Sequence, residues 1–249
     1  MPDLRGAAKK RHAAEDFLRL ALCARSPRVK ARFARAGLAV HERELAPDTQ
    51  VLLLRQLYMA HLEQRQLRRA TEIARQMAAV GPLRDIAHHD AARALFALGD
   101  LAGAVAEQRL AARAAPAARR SFHLWSLATW QHFAGDHPGA LRTLRRGLRW
   151  ATRDRALLAA HAAYVELDAG DVPEELERIV RDLSESRARE GYGQFLLGQI
   201  AWHVGDRRRA AAHLRAFLRR NAGISEAKSL TLREELRRAR VALASLESC

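Results

Sequence analysis

Apolar residues recur three and four positions apart along almost the whole chain, and polar and apolar residues nowhere alternate for long enough to predict a strand. Proline breaks helix interiors, and the prolines fall at or near the ends of the helices that this spacing predicts. They are Pro2, Pro27, Pro47, Pro82, Pro116, Pro138 and Pro173. The pattern predicts an all-α protein, and no Pro/Gly/Ser-rich linker divides it.

A Gly-Asp pair recurs along the middle of the chain, and its glycines are 36, 35 and 35 residues apart. The pairs are Gly99-Asp100, Gly135-Asp136, Gly170-Asp171 and Gly205-Asp206. Repeats of this length are typical of solenoids, whose units bury their apolar faces only against each other. In each unit the glycine suits the left-handed end of a first helix, helix A, and the aspartate suits the start of a second, helix B.

Small residues stand where the two helices of each pair would cross. They are Ala92, Ala128, Ala163 and Gly198 on helix A, and Ala104, Ala140 and Ala210 on helix B. Close helix packing requires such residues. The unit after Gly170 differs, because Glu175 and Asp182 take the places of small residues. We expect its helix B either to rotate and bury Val172, Leu176, Ile179 and Leu183 instead, or to pair Glu175 with Arg145 or Arg146, or to form a hinge. Pro138 and Pro173 are expected in the first turn of their B helices.

The chain is identified as a member of the tetratricopeptide repeat family on Leu197-Gly198, Gly205-Asp206, Ala210 and Leu214, and on Gly99-Asp100, Ala104, Ala111 and Pro116 of an earlier unit. The resemblance implies a right-handed α-solenoid of antiparallel helix pairs, with helix A on the concave side and helix B on the convex back. We expect a degenerate helix pair over residues 1–47, five repeats over 48–223 and one capping helix over 224–249, as one continuous domain.

The family's geometry assigns groove-facing positions on each helix A, and more than half of the aromatic residues fall on them. Aromatic side chains in a concave pocket are typical peptide anchors, although the same rings could serve only to pack the superhelix. The predicted partner-binding residues are Arg55, His89, Arg93, Phe96, Trp125, Phe133, Tyr164, Phe195 and Trp202. The basic members of this set, near one end, would favour an acidic flank on the ligand.

The net charge of +15 suggests an acidic partner. Arginines recur on helix B ten and fourteen residues after the glycine position, which predicts a basic ladder on the convex back, thickened by Arg142 and Arg146. Its members are Arg75, Arg109, Arg113, Arg145, Arg149, Arg215 and Arg219. The ladder could hold phosphates or an acidic protein, or could be an ordinary solvated face.

Other chemistry has little support in the sequence. Two cysteines, Cys23 and Cys249, give no disulfide framework, and no two histidines are three or four residues apart, as a helical metal site would need. No catalytic motif, signal peptide or apolar membrane span is present. We therefore expect a cytoplasmic, non-catalytic scaffold without cofactor or metal that binds a peptide or helix of another protein. The alternatives are electrostatic binding of nucleic acid or an acidic protein surface by the ladder, and self-association through the terminal helices.

Overall fold

The computed structural model of the chain describes residues 14–40 and 45–247, and every regular element in these ranges is helical. The helices are α1 (Ala14–Cys23), α2 (Pro27–Leu38), α3 (Pro47–Glu63), α4 (Leu67–Val80), α5 (Arg84–Leu98), α6 (Leu101–Ala114), α7 (Ala117–Phe133), α8 (His137–Leu148), α9 (Arg155–Asp168), α10 (Leu176–Glu185), α11 (Tyr192–His203), α12 (Arg207–Arg220), α13 (Glu226–Thr231) and α14 (Arg233–Glu247), with one 3₁₀ turn at Arg187–Arg189. Residues 1–13, 41–44 and 248–249, which include parts of the predicted terminal units and Cys249, lie outside the described residues.

Successive helices pair and stack, as a solenoid requires. Each helix from α1 to α9 packs on the next, as do α11 and α12, and α9 also packs on α11, the corresponding helix of the next pair. The predicted all-α solenoid is confirmed. The small residues at the predicted crossings are fully buried; Ala104, Ala140 and Ala210, for example, each have 0 % of their surface exposed. At Gly198 a Cβ atom would lie 2.6 Å from Leu214, so glycine lets α11 and α12 meet.

The Gly-Asp pairs end one helix and begin the next. All four glycines have positive φ, between 78° and 93°, in the left-handed region that side chains other than glycine disfavour. The carboxylates of Asp100, Asp136 and Asp206 each accept a hydrogen bond from the backbone N–H three residues later, at 2.9 to 3.0 Å. Asp171 caps no helix, because α10 begins only after Glu175.

Replacing Asp136 by alanine is expected to lower the free energy of unfolding by about 1 kcal/mol, because the N–H of Gly139 loses its acceptor at the start of α8. Urea unfolding followed by circular dichroism measures this difference. Asp171→Ala is the matched control, since it removes the same residue of the repeat without removing a cap, and it should leave the midpoint unchanged. Equal losses in the two variants would contradict a capping role.

The unit after Gly170 departs from its neighbours, and two predictions for it need correction. Pro173 lies before α10 rather than in its first turn, and Glu175, the residue directly before α10, pairs with Arg178 of that helix rather than with Arg145 or Arg146. Glu175 stands where Ala140 packs in the preceding unit. Because burial of an unpaired carboxylate is costly, the first turn does not form against α9 and the side chain stays in water.

The apolar side chains of this unit are buried to different extents. Leu183 is fully buried, Leu176 and Ile179 are partly buried, and Val172 is 75 % exposed. The prediction that these four side chains are buried in place of the small residues therefore holds for the three on α10 but not for Val172, which precedes the helix. The result is a shorter second helix than in the other pairs.

The chain ends in two helices where a single one was predicted. Leu232 separates α13 from α14, and we call residues 226–247 the C-terminal segment. It packs against α12, as a cap on the last pair would, and α13 also reaches α3 and α5 near the other end of the stack. In the ranges that the structure describes, none of the helices has the length and apolar character needed to span a bilayer.

Candidate partner-binding groove

The residues predicted to line a groove lie on the first helices of successive pairs. They are Arg55 on α3, His89, Arg93 and Phe96 on α5, Trp125 and Phe133 on α7, Tyr164 on α9, and Phe195 and Trp202 on α11. Their rings form a series of contacts along the stack, with ring centroids of Phe96 and Phe133 6.4 Å apart and those of Tyr164 and Phe195 5.8 Å apart. Tyr164 and Phe195 are fully buried core residues, whereas Phe96, Trp125, Phe133 and Trp202 are only partly buried.

The C-terminal segment lies against this surface. Ala227 and Leu230 of α13 are buried in the same apolar cluster as Val51 and Leu54 of α3. At the other end, α14 packs on α11, and the indole N–H of Trp202 donates to Ser245 Oγ at 3.0 Å. The chain therefore places its own C-terminal segment in the groove that the sequence analysis assigned to a partner.

Arg238 of α14 makes the most extensive polar contacts between the C-terminal segment and the groove. Its guanidinium donates to the Tyr164 hydroxyl at 2.8 Å and to Asp168 Oδ2 at 2.9 Å, and lies 5.0 Å above the centre of the Phe133 ring. It also donates to Glu234 on its own helix. The arginine thus bridges α7, α9 and α14 through hydrogen bonds, an ion pair and a cation–π contact.

Behind Arg238, a buried hydrogen-bond chain fixes the tautomers of two histidines. The indole N–H of Trp125 can only donate, and it donates to Nδ1 of His161 at 2.9 Å. His161 therefore carries its proton on Nε2 and donates to Nδ1 of His132, 3.3 Å away. His132 in turn donates from Nε2 to Asp168 Oδ2 at 2.9 Å. Burial lowers the pKa of both histidines, so both rings are neutral, as this chain requires.

The same series of hydrogen bonds argues against a metal site. Ligand atoms of His132, His137 and Asp168 lie within 4.8 Å of one another, close enough to surround an ion. However, Nε2 of His132 carries the proton that it donates to Asp168, and Arg238 already neutralises that carboxylate. The hydrogen bond from His132, together with the Arg238 guanidinium, holds the pKa of Asp168 far below its usual range. A cation would have to displace both, so the cluster is best described as an internal polar network.

The basic residues at the other end of the groove contact an internal acid. Arg55 and Arg93 both approach the buried carboxylate of Asp90, at 3.3 and 3.4 Å, and Arg93 also donates to Thr231 of the C-terminal segment at 2.6 Å. Burial lowers the pKa of His89 to about 3, so its ring is neutral. These residues therefore offer less positive charge to an acidic ligand than their sequence positions suggested.

The seven arginines of the predicted ladder are all exposed; six lie on the second helices of the pairs, and Arg149 directly follows α8. Two of them form ion pairs with residues that the structure describes: Arg75 pairs with Glu107 at 2.8 Å and Arg215 with Glu247 at 2.9 Å. The divergent α10 carries none of these seven arginines, because Val180 and Ser184 stand at the ladder positions. The ladder is therefore a set of separate basic regions.

The groove contacts of the C-terminal segment were not predicted from the sequence. Leu236, Ala239 and Leu243 at spacings of three and four showed an amphipathic helix, and Arg238 interrupts its apolar face with a charge. That interruption was the available signal for a buried acidic counterpart elsewhere. The His132, His161 and Asp168 chain had no local signal, because its members belong to different repeats.

Comparisons with known proteins bear on the fold. No protein-family model matches the chain, and no curated protein matches it. A solved structure that resembles it is a tetratricopeptide repeat protein from Parabacteroides merdae ATCC 43184, with 15% sequence identity and a TM-score of 0.61. The likeness covers 94% of this chain and 92% of that one, so it extends over the whole helical stack.

Proposed function

Since the chain has the tetratricopeptide-repeat fold, we propose that it is a non-catalytic, cytoplasmic scaffold that binds a helix of another protein in its concave groove. The observation that carries this proposal is the C-terminal segment itself. Both of its helices already lie in the groove: α13 contacts α3 and α5, and α14 contacts α11 and is held by Arg238. The groove is therefore suited to helical ligands.

The contacts of α14 indicate the chemistry that a partner helix needs. Ala239 and Ala242 are buried, so the groove accepts small residues where the helix approaches closely, and Leu236 and Leu243 supply apolar area. Asp168 accepts a basic side chain at the centre. We expect a partner helix with an apolar face and an arginine or lysine directed at Asp168, in place of the acidic flank expected from the sequence.

In this proposal the partner and the C-terminal segment compete for one surface. The apparent affinity for a partner is then reduced by the fraction of chains in which the segment occupies the groove. Loosening the segment should strengthen partner binding without a change in the partner's own contacts.

A competition experiment tests the groove as the binding surface. The full-length protein is immobilised, partners are captured and identified by mass spectrometry, and the bound fraction is challenged with a synthetic peptide of residues 225–247. A partner that occupies the groove should be released by this peptide. A control peptide with Leu236 and Leu243 changed to aspartate has lost its apolar face and should release nothing.

A charge-reversal variant separates the groove from the convex back. Arg109→Glu, Arg145→Glu and Arg219→Glu together remove exposed arginines of three B helices that make no hydrogen bond or ion pair with residues 226–247, and should leave capture of a groove-bound partner unchanged. Retention of the partner in the presence of the 225–247 peptide, combined with its loss in the triple variant, would contradict the groove and favour electrostatic binding of an acidic surface.

A further inference from the structure

A basic cleft opens on the opposite side of the stack from the C-terminal segment. It has a volume of about 660 Å³ and lies between α6 and α8, with α7 at its base. Its arginines come from all three helices: Arg109, Arg113, Arg120, Arg142 and Arg146. Among the described residues that line it, none is acidic. The cleft therefore concentrates five positive charges in one concave surface.

These charges are not neutralised within the described part of the chain, where none of the five arginines makes an ion pair with a carboxylate. Arg120 alone has other contacts: it donates to the Ala115 carbonyl at 2.8 Å, and its guanidinium lies 4.5 Å from the centre of the Trp150 ring. Like charges in a concave site repel one another and focus the positive potential, and a bound anion relieves this repulsion.

Arginine on several walls suits a ligand with more than one phosphate. Each guanidinium can donate two parallel hydrogen bonds to a phosphate, so residues on α6 and α8 can hold neighbouring groups of one molecule. On each helix the arginines are four residues apart, which separates them by about 6 Å along the axis. The volume of the cleft is also within the range of small-molecule sites, about 300–1,000 Å³.

The surroundings favour a compact ligand over an extended strand. The next cleft along the back is lined by Arg145, Arg153, Arg155 and Arg178, but Glu166, Glu175 and Asp182 also line it and offset most of their charge. In the other direction, Arg75 is paired with Glu107. On both sides of the basic cleft, therefore, the arginines are largely offset by acidic residues, whereas a nucleic-acid backbone that followed the B helices would need a continuous basic strip.

We propose that the cleft between α6 and α8 binds a small oligophosphate, a compound with two or more consecutive phosphate groups. Arg109 and Arg113 hold the ligand from one wall, and Arg142 and Arg146 from the other. Trp150, 42 % exposed at the rim, holds the Arg120 guanidinium in position beneath its ring. This site is separate from the groove and does not depend on the proposed scaffold function.

Isothermal titration of the full-length protein with tripolyphosphate, and separately with adenosine triphosphate, tests the proposal. Arg113→Ala and Arg142→Ala remove one arginine from each wall, and each should weaken binding about tenfold, the loss typical of one hydrogen bond to a charged group. Arg219→Ala is the matched control, because it removes an exposed arginine of α12 outside the cleft and should change the affinity less than twofold.

The two probes distinguish the sources of the phosphates. Equal affinity for both means that the phosphates alone are recognised, and tighter binding of adenosine triphosphate means that the nucleoside adds contacts; either result supports the site. Three results overturn it: no binding of either probe, equal weakening by Arg219→Ala and the cleft variants, or tighter binding of a single-stranded oligonucleotide with an affinity that rises with its length. Circular dichroism of each variant verifies that the helices remain folded.

Discussion

Changing Arg238 to alanine is expected to lower the free energy of unfolding by about 2 to 3 kcal/mol. The change removes the donor to the Tyr164 hydroxyl, the ion pair with Asp168 and the contact with the Phe133 ring. Loss of one partner of a fully buried ion pair costs about 3 to 5 kcal/mol. The expected loss is smaller here, because Asp168 keeps its hydrogen bond from His132 and is 22 % exposed. Urea unfolding followed by circular dichroism measures the difference.

Arg237 provides the matched control for this experiment. It is adjacent in sequence and has the same chemistry, but its side chain is 58 % exposed and, among the residues that the structure describes, pairs only with Glu234 on its own helix. Arg237→Ala should cost no more than about 0.5 kcal/mol. Hydrogen exchange then shows whether Arg238→Ala frees the C-terminal segment, with faster exchange in α13 and α14 than in α7. Equal effects of the two substitutions would mean that Arg238 does not hold the segment in the groove.

The repeat architecture could be predicted because its signals are local. A glycine with positive φ and an aspartate that caps the next helix are both properties of a few consecutive residues, and at Gly99-Asp100, Gly135-Asp136 and Gly205-Asp206 both predictions are correct. At Gly170-Asp171 the glycine is as predicted, but the helix starts late. The reason is again in the sequence: the bulky charge of Glu175 occupies a place that requires a small residue.

The contents of the groove could not be predicted, because an amphipathic helix shows that one face is buried but not which surface buries it. The leucines and alanines of α14 are equally compatible with a cap on α12 and with a helix that also contacts α9 and α11. The deciding contacts, such as the one between Arg238 and Asp168, join residues 70 positions apart. They depend on the curvature of the stack, which no single repeat encodes.

The placement of the C-terminal segment also changes the interpretation of the aromatic residues. In the sequence they were either partner anchors or core. Trp202 donates to Ser245, and Phe133 lies beneath Arg238, so both already contact a helix that belongs to the chain. A partner that uses these residues must replace contacts of comparable strength, which makes release of the segment the controlling step for the proposed groove function.

Glu235 makes the packing of the C-terminal segment in the groove dependent on pH. Its side chain is buried on α14, next to the Tyr192 hydroxyl of α11, and within residues 14–40 and 45–247 neither that hydroxyl nor Oε2 of Glu235 has a partner in hydrogen-bond geometry. Burial raises the pKa of Glu235 from 4.5 to about 7. The folded chain therefore keeps this carboxyl protonated over a pH range in which the unfolded chain ionises it.

Changing Glu235 to glutamine should remove a loss of stability that the wild-type protein undergoes between pH 4.5 and 7. Below pH 4.5 the carboxyl of Glu235 is protonated in both the folded and the unfolded chain, so its full contribution to the free energy of unfolding is present. As the pH rises from 4.5 to 7, the unfolded chain releases this proton first, and the free energy of unfolding falls by about 3 kcal/mol. The neutral histidines His89 and His161 act in the opposite direction below about pH 6.5, but they are common to both proteins and cancel in the difference. Urea unfolding at half-unit pH steps should show the glutamine variant gaining on the wild type up to about pH 7 and constant above it. A difference independent of pH would mean that Glu235 ionises alike in the folded and unfolded chains.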